Sequence, residues 1–214
     1  IDDPGSTKAS VTPTNPKDWK KAPEPIITLR VIPYAAGREE LLALVRETVR
    51  EVRSRGDAAV LEYAARFDGG VPVHLKVPAT EFLQAFSTLS KDGRDALIRA
   101  ITNIKKFHQA QLPQAISLET SPGVVCERVT RPIDSIGIYV PGGSAPLVSA
   151  LLMAAIPAEI AGCKRRVLCT PAVRGGRIHP HILAAAKLCG IDEVYAIGGA
   201  QAIAALAYGT ETIP

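Results

Sequence analysis

Apolar residues fall in two different rhythms along this chain. Between Arg38 and Arg55 they occupy Leu41, Leu42, Val45, Val49 and Val52, the spacing of a helix that buries one stripe. Gly56 stops that helix, and Asp57 caps a second over 57–67. Asp68-Gly69-Gly70 reads as a turn. Val71–Val77 alternates and predicts a strand with Val73, Leu75 and Val77 on one face. Helical spacing returns from Thr80 to about Leu89. It appears again from Arg94 to Gln111, where Leu97, Ile101, Ile104 and His108 share a side and Pro113 lies just beyond.

After residue 131 the rhythm changes to short, nearly continuous apolar runs: Ser135–Val140, Arg165–Thr170 and Glu193–Ile197. Each leads into a helical stretch, ended by Gly162, Gly190 and Gly209 in turn. The strands start about 30 residues apart, as βαβ units require. Continuous apolar strands imply a parallel sheet covered on both faces. The expected fold class is therefore α/β. A Rossmann-like, doubly wound half-domain at about 131–214 follows a mostly helical α+β segment at 34–130, itself part of a larger domain. Residues 1–33 contain Pro4, Pro13, Pro16, Pro23, Pro25 and Pro33. They predict an extended or poorly ordered arm with brief structure around Trp19.

Composition narrows the function classes. The 214 residues are 47% apolar and 21% charged, an ordinary globular mix. Aromatics make up 5% and the net charge is only +4, with no dense basic run, so no nucleic-acid partner is expected. The most apolar stretch, Ala145 to Cys163, is interrupted by Pro146, Pro157 and Glu159. It reads as a buried helix rather than a membrane span, and no membrane partner is expected. Cys126, Cys163, Cys169 and Cys189 form no Cys-x-x-Cys pair. They read as reduced thiols filling core space in a cytoplasmic protein. No basic-then-apolar leader pattern opens the chain. The start at Ile1 and the abrupt end at Pro214 suggest a piece of a longer protein.

In an open parallel sheet, ligands bind beyond the carboxyl ends of the strands. Three segments lie there: 139–144, 170–172 and 198–201. Two open helices with glycines, Gly142-Gly143 and Gly198-Gly199, which admit a close ligand and offer backbone N–H groups to an anion such as a pyrophosphate. The Gly-x-Gly-x-x-Gly fingerprint is absent, so the glycines alone leave nucleotide binding and plain turns both open. Tyr139 and Gln201 stand out, one able to pack a ring and the other to donate and accept hydrogen bonds. His179 and His181 are two apart, a spacing that does not share a helix face, and no Cys, Asp or Glu flanks them. His108 reads as packed and His74 as facing water. Asp68 fits a turn better than a catalytic role. No catalytic set emerges.

Four motifs then stand together. They are Arg55-Gly56-Asp57-Ala58-Ala59 with Phe67-Asp68-Gly69; Asn103-Ile104 with Phe107-His108; Gly137-Ile138-Tyr139-Val140-Pro141-Gly142-Gly143; and Gly198-Gly199-Ala200-Gln201-Ala202-Ile203-Ala204 with Tyr208-Gly209-Thr210-Glu211. In order and spacing the chain, from about 38 to 214, resembles the histidinol dehydrogenases. The resemblance implies a zinc- and NAD-dependent oxidation of L-histidinol to L-histidine through the aldehyde, by a homodimer whose active site borrows residues from its partner. Tyr139 and Gln201 match positions that contact NAD. Pro141, Gly142, Gly143, Pro171 and Gly199 are secondary candidates for the same cofactor. The family chain is about twice as long. Its zinc ligands and its Glu-His acid–base pair are expected downstream of Pro214. The resemblance therefore assigns no catalytic residue and no metal ligand here, and implies that the chain alone is inactive. Two alternatives are a non-catalytic dinucleotide-binding module and an aldehyde-oxidising enzyme of a wider type. The motif set favours the first family over the latter.

Overall fold

The computed structural model of the chain describes residues 38–143, 145–173 and 175–214. The arm expected at 1–33, with Trp19, lies outside them. The expected strands at 135, 165 and 193 are present as β1 (Ser135–Tyr139), β2 (Arg165–Thr170) and β3 (Glu193–Ala196). They pair in parallel in that order, with Tyr139 level with Cys169 and Cys169 level with Tyr195. The three carboxyl ends are therefore nearly flush.

Both faces of this sheet are covered, which is why its strands read as continuous apolar runs. Ile138, Leu168, Val194 and Ala196 point into one core. That core also holds Leu151, Leu152, Ala155 and Ile156 of helix α5 (Val148–Ile160) and Ile182 and Leu183 of α6 (Pro180–Leu188). Val167, Cys169, Tyr195 and Ile197 point into the other, with Ala202, Ala204 and Ala205 of α7 (Gly199–Tyr208). The crossovers α5 and α6 thus share one face and α7 lies on the opposite one. Gly137 in β1 lets α7 approach: a Cβ there would stand 2.9 Å from Leu206.

The preceding helices form outer layers. Helices α1 (Arg38–Arg55) and α2 (Asp57–Phe67) are as expected, and Val52, Ala59, Val60 and Tyr63 join the α7 core. Helix α3 (Ala79–Thr88) packs on α6, and α4 (Lys91–Gln109) packs on α5. Ser90 caps α4 by accepting from the Gly93 N–H at 3.1 Å. Within the apolar stretch 145–163, α5 buries Leu151, Leu152, Ala155 and Ile156.

Two expectations need correction. Val71–Val77 is not a strand. Its alternation fails because Val73 is exposed while Pro72, which has no N–H to donate, is buried. Only Leu75–Val77 pairs, through an antiparallel bridge of Lys76 to Tyr195 and bonds to Val194 and Ala196 at 2.9 and 2.8 Å. This short cover occupies the outer edge of β3. Second, Cys126 is exposed and Cys163 half-buried, so only Cys169 and Cys189 are core residues.

A two-stranded ribbon precedes the sheet in the chain. Ile116–Ser121 (β4) pairs antiparallel with Val124–Arg128 (β5) across a Pro122-Gly123 turn. Ile116, Leu118, Val124, Cys126 and Arg128 share one face, and Ser117, Glu119, Val125 and Glu127 share the other. The apolar face is uncovered, with Ile116 48%, Leu118 59% and Val124 52% exposed. An isolated ribbon with a bare apolar face is marginal in water and invites association. The chain is expected to self-associate, and Leu118→Lys to weaken this. Sedimentation of the parent as a compact monomer at high concentration would overturn that expectation.

Candidate functional site at the carboxyl ends of the strands

Tyr139 ends β1 half-buried, and its hydroxyl oxygen accepts the Gly199 N–H at 3.1 Å. The sixty residues between them are spanned by the parallel register alone. Having accepted one bond, the Tyr139 hydroxyl still has a proton to donate. Two residues beyond Gly199, Gln201 is buried, 1% exposed, although it lies in the first turn of a helix. Its Nε2 donates to Asp68 Oδ2 at 3.3 Å, and its Oε1 is buried without a partner.

Asp68 completes this cluster, and sequence reasoning missed it. It follows α2, and its Oδ2 also accepts the Gly198 N–H at 2.8 Å. Burial pushes the Asp68 carboxyl up from its ordinary value, while the hydrogen bonds from Gly198 and Gln201 pull it back down. The Phe67-Asp68-Gly69 motif was the available signal, but the turn reading explained it fully on local grounds.

Pro171 wedges between the glycine loops. A Cβ on Gly142 would stand 2.6 Å from Pro171 Cγ, and one on Gly198 would stand 2.7 Å from its Cβ. Gly199 has φ +63°, and a Cβ on it would stand 2.5 Å from Gln201 Oε1. Close packing thus favours glycine at Gly142 and Gly198, and at Gly199 backbone shape requires it as well. Pro171 also lines a cavity of about 120 Å³, together with Pro141, Gly142, Gly143, Leu147 and His179. That is below the roughly 300–1,000 Å³ typical of a ligand pocket. The residues singled out from the sequence therefore form two adjoining groups. Tyr139, Gly199 and Gln201 gather around Asp68, while Pro141, Gly142 and Gly143 line the cavity.

His179 accepts the His181 N–H at 3.2 Å through Nδ1, with the two rings edge to face. Burial first, and the His181 charge second, push the His179 ring below its ordinary value. Among the described residues, no three His, Cys, Asp or Glu side chains converge as metal ligands. Burial pushes Cys169 up to about 12 and Cys189 up to about 11, values that keep both thiols protonated and unreactive at neutral pH. No helix among the described residues is long and apolar enough to cross a membrane.

A histidinol dehydrogenase family model matches residues 35–214. The histidinol dehydrogenase of Vibrio parahaemolyticus is 50% identical over 181 residues, covering 85% of this chain and 41% of that protein. That of Escherichia coli K12 is 48% identical over 182 residues, again 85% and 41%. The crystal structure of histidinol dehydrogenase from Elizabethkingia anophelis superposes with a TM-score of 0.78 at 42% identity, covering 81% of this chain and 40% of that one. The chain spans about two-fifths of the length of these relatives. With the family model spanning residues 35–214 and a structural match over 81% of its length, the chain belongs to the histidinol dehydrogenase family.

Proposed function

We propose that residues 131–214 form the NAD-binding half of a cytoplasmic, homodimeric histidinol dehydrogenase that oxidises L-histidinol to L-histidine. The observation that carries this reading is the unpartnered Oε1 of buried Gln201, beside the Gly199 turn and the Tyr139 hydroxyl. Buried polar atoms are almost always partnered, and this one lies where parallel sheets take their ligands. It fits a cofactor that carries hydrogen-bond donors.

When bound, NAD⁺ supplies the hydride acceptor for oxidation of the alcohol. Tyr139 offers a ring edge and a hydroxyl proton, and Gln201 offers an acceptor. Pro171, packed against Gly142 and Gly198, keeps the approach narrow. Zinc is implied by the family resemblance, and the described residues do not gather a ligand set for it.

The test is a hybrid in which residues 38–214 replace the corresponding part of the Escherichia coli relative. It is expected to turn over histidinol with NAD⁺. In it, Gln201→Ala removes a neutral hydrogen bond, about 0.5–1.5 kcal/mol, or up to roughly tenfold in affinity. Tyr139→Ala removes a packed ring as well. Both should raise the KM for NAD⁺ and leave zinc content unchanged. An unchanged KM in both variants, or loss of zinc, would place the nucleotide elsewhere.

A further inference from the structure

Gln201 has one amide with two different ends, and the structure decides which end faces which way. The Gly198 N–H is fixed in the backbone and can only donate. Asp68 Oδ2 accepts it at 2.8 Å. The same oxygen meets the Gln201 amide at 3.3 Å. An ionised carboxylate has no proton to give, so only the Nε2 end of Gln201 can face it. The Oε1 end is then turned toward Gly199, where it is buried without a donor.

The same contacts set the electrostatics at Gly198 and Gly199. A helix N-terminus attracts one anion through its free N–H groups and its dipole. Here the Gly198 N–H is taken by Asp68 and the Gly199 N–H by the Tyr139 hydroxyl. The anion already present is Asp68. A phosphate brought to this turn would meet the Asp68 carboxylate and the buried Gln201 Oε1, both repelling it. The Gly198 and Gly199 N–H groups are therefore not free to hold a pyrophosphate.

We infer that Asp68 is a positioning residue that fixes the polarity of the Gln201 amide, so that the Gly198–Gln201 turn takes a neutral hydrogen-bond-donating group of the ligand and not its phosphates. A nucleoside carries such donors as ribose hydroxyls and as amino or carboxamide N–H groups. The inference rests on the dinucleotide reading above and specifies which part of the dinucleotide this turn reads.

The test uses the 214-residue chain, with the Gly198 and Gly199 backbone amides and the Gln201 Nε2 amide followed by ¹H–¹⁵N NMR. NAD⁺ and adenosine or nicotinamide riboside are expected to move the Gln201 and Gly199 signals. Inorganic pyrophosphate is expected to leave them in place. Asp68→Asn lets the amide turn round and removes the charge. It should weaken NAD⁺ by about tenfold and at the same time let pyrophosphate shift the Gly199 signal, a gain that a merely structural role would not produce. Gln201→Met keeps the volume and should lose NAD⁺ affinity to a similar extent with no gain for pyrophosphate, so the idea stays open to refutation if Asp68→Asn melts early. Pyrophosphate shifting the parent signals as NAD⁺ does, or Asp68→Asn binding NAD⁺ as the parent does, overturns the role of Asp68 while the dinucleotide reading stands. NAD⁺ leaving every one of these signals unmoved in the parent overturns the dinucleotide reading, and this inference with it.

Discussion

Gly56→Ala is expected to destabilise the chain by about 3 kcal/mol and lower its melting temperature by about 10 °C. Gly56 joins α1 to α2 with φ +54° and ψ −132°, a region that residues with a Cβ rarely enter. Holding a non-glycine residue in such a region costs of order 1–3 kcal/mol. A Cβ there would also run into the Glu211 carboxylate. Glu211 Oε2 accepts the Asp57 N–H at 2.8 Å and so caps α2 from the far end of the chain. Asp57 in turn accepts from the Thr210 and Thr212 hydroxyls. Glu211 is exposed and can swing aside, so the added loss is that of a cap, about 1 kcal/mol. Thermal melts of Gly56→Ala, Glu211→Ala and the double variant separate the two parts. Glu211→Ala should cost only about 1 kcal/mol, and most of the Gly56→Ala loss should persist in the double variant. A Gly56→Ala melt within a degree or two of the parent would show that the turn tolerates a side chain.

That contact also shows why two of the family motifs look as they do. Arg55-Gly56-Asp57 and Gly209-Thr210-Glu211 are separated by more than 150 residues, and each reads locally as a helix stop. Their meaning lies in the bonds between them, which no periodicity carries. The sheet was legible for the opposite reason: burial on both faces writes itself into each strand as a continuous apolar run. The β4–β5 ribbon was not, because both strands are exposed and only Pro122-Gly123 marks the turn. Val71–Val77 alternates in sequence, but Pro72 is buried and Val73 exposed, so a real pattern gave a false strand. At the site, Tyr139 and Gln201 were visible as polar residues at the ends of apolar elements. Asp68 was not, because it reaches Gly198 across 130 residues and a local turn already accounted for it.

Gly199→Ala is the change expected to damage the site most. Gly199 has φ +63°, where an added Cβ costs about 1–3 kcal/mol in backbone strain. The Cβ would stand 2.5 Å from Gln201 Oε1 and 3.0 Å from its Cδ and Nε2. Unlike Glu211, Gln201 is buried and has no solvent to swing into. It must give up its bond to Asp68, an interaction with a charged group worth about 1.5–3 kcal/mol. The expected total is about 3–4 kcal/mol of stability, with NAD⁺ affinity reduced by more than about tenfold. A double-mutant cycle isolates the contact. In a Gln201→Ala background the obstructing side chain is gone, so Gly199→Ala should cost about 1–2 kcal/mol less than in the parent. The backbone part should remain in both. Equal costs in the two backgrounds would mean that Gly199 is required for its conformation alone, and that the close approach to Gln201 Oε1 has no energetic consequence.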